Sequence, residues 1–149
     1  MESIKMTEYT ENAIRWAKER LGDTTYRGKC LAFVEDAYEQ SNRIEMFGGD
    51  TAKESADQYR AISRKTEPPP GAFVFFDWTG KIGQVEKNYG HVGIAIGNGE
   101  IIHAWDKVRI DDLAEMEDLS VPPGSTRLRY LGWAPPEVFL EGFRSADLP

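Results

Sequence analysis

The fold turns on the stretch Gly90-His91-Val92-Gly93-Ile94-Ala95-Ile96-Gly97-Asn98-Gly99-Glu100-Ile101-Ile102-His103-Ala104-Trp105. His91 to Ile96 and Glu100 to Trp105 read as strands, and Gly97-Asn98-Gly99 between them is a strong hairpin signal. The chain has two histidines, and both lie here, twelve positions apart. Strand side chains alternate in direction, and a residue points to the same face as its partner across a hairpin. A two-residue Asn98-Gly99 loop makes every pair sum odd and turns the two rings to opposite faces. A three-residue loop pairs Ile96 with Glu100 and Gly93 with His103. His91 then sits diagonal to His103 on one face, and Gly93 leaves room for the rings.

On either side the pattern continues. Ala72 to Phe76 is a short, nearly continuous apolar run, as in a strand covered on both faces. Val108 to Ile110 and Arg127 to Trp133 read as further strands, with a helical turn around Leu113 to Met116. Before Glu67-Pro68-Pro69-Pro70-Gly71 the period is helical. One helix is expected from Thr10, as cap, to Leu21, stopped by Gly22. A second opens at Cys30, with Phe33, Val34, Ala37 and Ser41 on the same face. A third is capped by Thr51 and runs from Ala52 to about Arg64. Helices first and strands after predict an α+β class: N-terminal helices, one carrying Cys30 at its N-terminus, packed on an antiparallel sheet of about five strands. The length of 149 residues fits a single domain over 1–149.

Lys plus Arg is 18 and Asp plus Glu is 25, a formal charge of -7. That sign speaks against a nucleic-acid binder, which shows a basic stripe, and against general attraction to an anionic membrane. No stretch approaches the roughly 20 apolar residues of a membrane span. The first twenty residues hold no signal-peptide core, so the chain reads as cytoplasmic at synthesis unless a leader has been removed. One cysteine excludes an internal disulfide. The sequence leaves the oligomeric state open.

A thiol attacks carbonyls as thiolate, and its free pKa near 8.5 leaves only a small fraction ionised at neutral pH. A helix N-terminus lowers that pKa and offers unpaired N–H groups to an oxyanion. Cys30 is at such a position, just after Gly28 and Lys29. Taken singly, Cys30 reads as a core residue and each histidine as a half-buried strand residue. A metal site built from Cys30, His91 and His103 lacks the short paired spacings of zinc ligands, so no metal or other cofactor is expected.

Together these residues resemble the NlpC-type cell-wall cysteine peptidases, a papain-like family. The resemblance runs from Arg20-Leu21-Gly22 and Thr25-Tyr26 through Cys30 with Phe33-Val34, and through Pro70 to Phe76. It is strongest across Gly90 to Gly99 with Ile101 to Ala104, and it closes with Arg109-Ile110-Asp111 and Tyr130 to Trp133. It implies a Cys-His-His triad: Cys30 attacks, His91 accepts its proton, and His103 fixes the tautomer of His91. It also implies a tyrosine near the oxyanion, matched by Tyr26, and bacterial peptidoglycan stem peptides as substrate. Arg27, Lys29, Trp105 and Asp106 are the expected substrate-binding residues. Relatives carry an acidic residue before the cysteine and a serine after it, which hold a free amine of the stem peptide. Here Lys29 and Leu31 stand at those places, and the loop from Tyr26 to Cys30 lacks the usual glycine-rich insertion. The pattern around Cys30 is also similar to the CHAP amidases and peptidases, in which Asp106 would take the place of His103. A thiol acyltransferase on the same scaffold, and a binding module that keeps the cleft without catalysis, are the further readings.

Overall fold

The structure, a computed structural model, describes residues 2–140; the expected domain over 1–149 runs beyond them at both ends. Among these residues the helices come first: α1 Glu2–Lys18, α2 Cys30–Asn42 and α3 Ala52–Gln58. Seven strands follow: β1 Phe73–Asp77, β2 Thr79–Ile82, β3 Val85–Asn88, β4 His91–Gly97, β5 Glu100–Ala104, β6 Val108–Asp112 and β7 Arg129–Ala134. Five of them make one antiparallel sheet in the order β6-β5-β4-β1-β7, and β2 pairs with β3 in a separate hairpin. The class is α+β, with helices packed on a five-stranded antiparallel sheet. No helix among the described residues is long and apolar enough to cross a membrane.

The strand period of two sorts the core into two layers. Phe73 and Phe75 of β1 join Val92 and Ile94 of β4 beneath Phe33, Val34 and Ala37 of α2. Val74 and Phe76 turn the other way, toward Ala95, Ile101, Met116 and Leu128. Because β1 is covered on both sides, its sequence is continuously apolar rather than alternating. Each of its buried phenylalanines contributes about 1.5–3 kcal/mol. His91 pairs with Phe76, so it belongs to the second layer, at the first position of β4, where it lines the same cleft as Cys30 at the start of α2.

Several expected boundaries move. α1 begins at Glu2, not Thr10, because the Thr10 hydroxyl is engaged with Tyr38 Oη at 3.2 Å and lies inside the helix. It ends at Lys18, not Leu21, and the chain turns through Gly22 at φ 91°. Thr51 caps α3 as expected, its hydroxyl accepting from the Glu54 N–H at 3.1 Å. That helix stops at Gln58, well short of Arg64, and Arg60 in the left-handed region leads into a 3-10 turn at Ala61–Ser63. The β2–β3 hairpin was not expected: most of its side chains are exposed, so no burial pattern marks it.

The β4–β5 register is the one that matters most. Gly93 pairs with His103, as the three-residue loop required, but Gly97 and not Ile96 pairs with Glu100. The turn is the two-residue Asn98-Gly99, both at positive φ (56° and 75°), as in a type I′ hairpin. A β-bulge at Ile96 inserts one unpaired residue and restores the even pair sums that the short turn removes.

Candidate active site

Cys30 reaches its position by local bonding in the loop before it. Asp23 Oδ1 accepts from the N–H and the hydroxyl of Thr25, both at 2.7 Å, and the Lys29 N–H donates to the Tyr26 carbonyl at 2.8 Å. Gly28 supplies a φ of 72° that few other residues adopt. Lys29 is then the N-cap of α2, with no side-chain cap, and Cys30 is the first helical residue. The unpaired N–H groups of the first turn lie beside the thiol.

The first residues of α2 and β4 open on one cleft of about 950 Å³. Cys30 and His91 both line it, with Arg27, Lys29, Trp105 and Asp106 around them. The His91 ring is buried, and its Nε2 lies 2.9 Å from His103 Nδ1. Trp105 packs edge-on against His91, centroids 4.9 Å apart, and is anchored by its indole N–H donating to the Ser120 carbonyl at 2.9 Å. Behind His91, His103 is fully buried and its Nε2 lies 2.8 Å from Asp111 Oδ2. Arg109 holds that carboxylate from the other side, Nε to Oδ2 at 2.7 Å and Nη2 to Oδ1 at 3.1 Å.

The electrostatics differ from the expectation of a thiol activated by its helix. Cys30 is only half-buried as a residue, yet the protein around the sulfur is dense enough that burial pushes the thiol up to about 11. The backbone N–H groups of Val92, Leu31 and Cys30 favour thiolate but do not overcome that burial. Burial, with the neighbouring His103 acting the same way, holds His91 well below the usual imidazole range. Burial also lowers His103, outweighing the opposite pull of Asp111. Asp111 is held at about 2 by its hydrogen bond from His103 and then by Arg109. At neutral pH the site is therefore a neutral thiol, two neutral imidazoles and an ionised carboxylate.

Two sequence expectations are not met in the geometry. Tyr26 does not line the cleft: its hydroxyl donates to Asp36 Oδ2 at 2.7 Å, and its ring packs on Trp16 and Phe33. Asp106, the alternative partner for the base, instead accepts from Arg109 Nη1 at 3.1 Å, and His103 holds the place beside His91. Two residues not singled out from the sequence stand out. One is Asp111, which the alternation of Val108-Arg109-Ile110-Asp111 puts on the face of His103. The other is Glu35, which lines the cleft with its carboxyl pushed up to about 7 by burial and by Glu39. No group of three residues able to hold a metal ion occurs among the described residues.

A search of curated proteins finds no match. Among solved structures the chain resembles NlpC1 from Trichomonas vaginalis, at 21% identity and a TM-score of 0.58, over 85% of this chain and 44% of that one. It also resembles NlpC2 from the same organism, at 24% identity and a TM-score of 0.51, over 85% of this chain and 47% of that one. The chain thus spans less than half the length of either, and at these identities the likeness concerns the fold. The NlpC/P60 family matches residues 19–118, which include Cys30, His91, His103 and Asp111. With two thirds of its length so matched, the chain belongs to the NlpC/P60 family, whose members are generally hydrolytic cysteine peptidases.

Proposed function

We propose that this chain is a cysteine hydrolase that cleaves amide bonds of peptidoglycan stem peptides through a thioester on Cys30. The observation that carries the reading is that Cys30 and His91 open on one cleft while His91 Nε2 is engaged by His103. That bond leaves Nδ1 as the nitrogen of His91 available to the thiol. As the sulfur attacks the substrate carbonyl, its proton passes to His91 Nδ1 and the carbonyl π pair moves onto oxygen. Backbone N–H groups at the start of α2 are the donors for that oxyanion. Collapse expels the amine, which takes the proton from His91 and leaves the acyl group on sulfur. Water then attacks the thioester, giving a proton to His91, and the returning sulfur recovers it.

A thiol pushed up to about 11 makes this general-base catalysis at the moment of attack, not attack by a preformed thiolate. Arg27, Lys29, Trp105 and Asp106 line the same cleft and are the substrate-contact residues in this reading. The test is incubation with purified peptidoglycan, with new amino groups counted and fragments identified by mass. Cys30→Ala should release none while keeping its stability within about 1–2 kcal/mol of the parent. Undiminished release by that variant sinks the reading. Passage of the acyl group from Cys30 to an added amine, with no net gain of amino groups, points to acyl transfer in place of hydrolysis.

A further inference from the structure

We infer that Asp111 is a positioning residue of this site, acting through His103 to fix the tautomer of His91 that leaves Nδ1 unprotonated toward Cys30. The inference rests on the proposed roles of Cys30 and His91.

The placement follows from the β5–β6 register. Ala104 pairs with Val108 and His103 with Arg109, so Asp111 lies diagonal to His103 on the same face. Its carboxylate is 13% exposed and takes two donors from Arg109. Held so, it is ionised and accepts only. The His103 Nε2 that faces it at 2.8 Å must therefore carry a hydrogen. His103 is buried and neutral, so it has one N–H, and its Nδ1 is then a bare lone pair. His91 Nε2, 2.9 Å from that lone pair, must in turn be the N–H donor. A neutral His91 with hydrogen on Nε2 has none on Nδ1. One fixed negative charge two side chains away thus selects the base form of His91. The same chain favours the doubly protonated His91 formed during attack, because its Nε2–H still meets an acceptor that Asp111 makes more basic.

Without the carboxylate either ring can flip its tautomer, and a His91 with hydrogen on Nδ1 cannot take the thiol proton. Loss of an orienting carboxylate directly on the base costs about 10⁴ in serine proteases. Acting through one more ring, Asp111→Asn should lower kcat by roughly 10²–10³, with KM changed less than about threefold.

The decisive measurement uses the fact that the chain has two histidines. In histidine-labelled protein at neutral pH, nitrogen NMR should show both rings with hydrogen on Nε2 and bare Nδ1. Asp111→Asn should populate the Nδ1–H form of His91 while kcat falls. A wild-type spectrum with hydrogen on His91 Nδ1 overturns the inference, and that spectrum decides the matter even if the variant does not fold. A folded variant whose tautomers are unchanged also overturns it, whether or not activity falls. A wild-type protein with the expected tautomers but no hydrolysis leaves the inference standing and removes the proposed function.

Discussion

His91 and His103 meet ring to ring, Nε2 to Nδ1 at 2.9 Å, across a hairpin whose two-residue turn would by itself send them to opposite faces. The bulge at Ile96 reconciles the two facts, since one unpaired residue shifts the register by one and brings both rings to the same side. Gly93, directly opposite His103, completes the arrangement. A Cβ built there would lie 2.5 Å from Ile101 Cγ2, 2.9 Å from His103 Cβ and 2.9 Å from the Ile102 carbonyl.

Gly93→Ala should therefore force strand β5 or the His103 ring to move. Overpacking of this kind costs about 1–3 kcal/mol, and urea unfolding should show it as a lower midpoint with an unchanged slope. Hydrolysis should fall further than stability alone explains, because the displaced ring is the partner of His91. Full activity in a protein of parental stability would mean that the strands absorb the methyl group and that the fit around His103 is looser than these distances indicate.

The histidine pair was legible in the sequence because alternation is a strict rule, and only the route to the register differed. Ile96 could not be identified as a bulge, since its side chain suits either a paired or an unpaired place. Asp111 was within reach of the same arithmetic. The three residues Trp105 to Lys107 between Ala104 and Val108 put Arg109 opposite His103 and Asp111 on its face. Tyr26 misled because sequence position says nothing of the Trp16–Phe33 cluster that draws its ring away from the cleft. The depth of Cys30 was equally hidden: a helix start promises a low thiol pKa, and only the packed protein around the sulfur reverses it.

That reversal gives a second prediction. Burial places the Cys30 thiol at about 11, so at pH 7 about one molecule in 10⁴ carries thiolate. Alkylation by a small neutral reagent should climb with pH through 9 and level off only near 11. A plateau reached below pH 8 would instead show a preformed thiolate–imidazolium pair, and the general-base account would fail.

Asp111 also links the site to acid stability. Its folded pKa of about 2 lies below the usual 3.8, so its contribution is fully present above about pH 4 and is lost as pH falls through about 2. Some of its surface meets solvent, which trims the contribution to about 1–2 kcal/mol. Other carboxylates titrate in the same window, so the quantity to measure is the difference between wild type and Asp111→Asn. Urea unfolding at pH 5, 3 and 2 should show that difference shrinking toward zero as acid is added. A difference that stays constant from pH 5 to pH 2 would mean that the carboxylate is not held by His103 and Arg109 in solution.

The remaining prediction concerns which stems the cleft accepts. Lys29 is exposed on the cleft wall and immediately precedes Cys30, so a substrate ammonium near the nucleophile meets a positive charge. Like charges about 4 Å apart repel by about 1 kcal/mol in water and more in a partly desolvated cleft. A stem whose amine is acylated or joined to sugar should therefore turn over about five- to tenfold better than the same stem with a free amine. Glu35 opposes this. Its carboxyl faces the same cleft, with Oε2 held by the Gly48 N–H at 3.0 Å, but burial places its pKa at about 7. At pH 7 it is therefore only partly charged and attracts an amine correspondingly weakly. Two variants separate the contributions. Lys29→Asp should reverse the preference, and Glu35→Gln should widen it. The measurement is kcat/KM for the two stems at pH 7 in wild type and both variants. A wild-type preference for the free-amine stem that vanishes in Glu35→Gln would show that Glu35, not Lys29, governs recognition, and the expected order of substrates would be wrong.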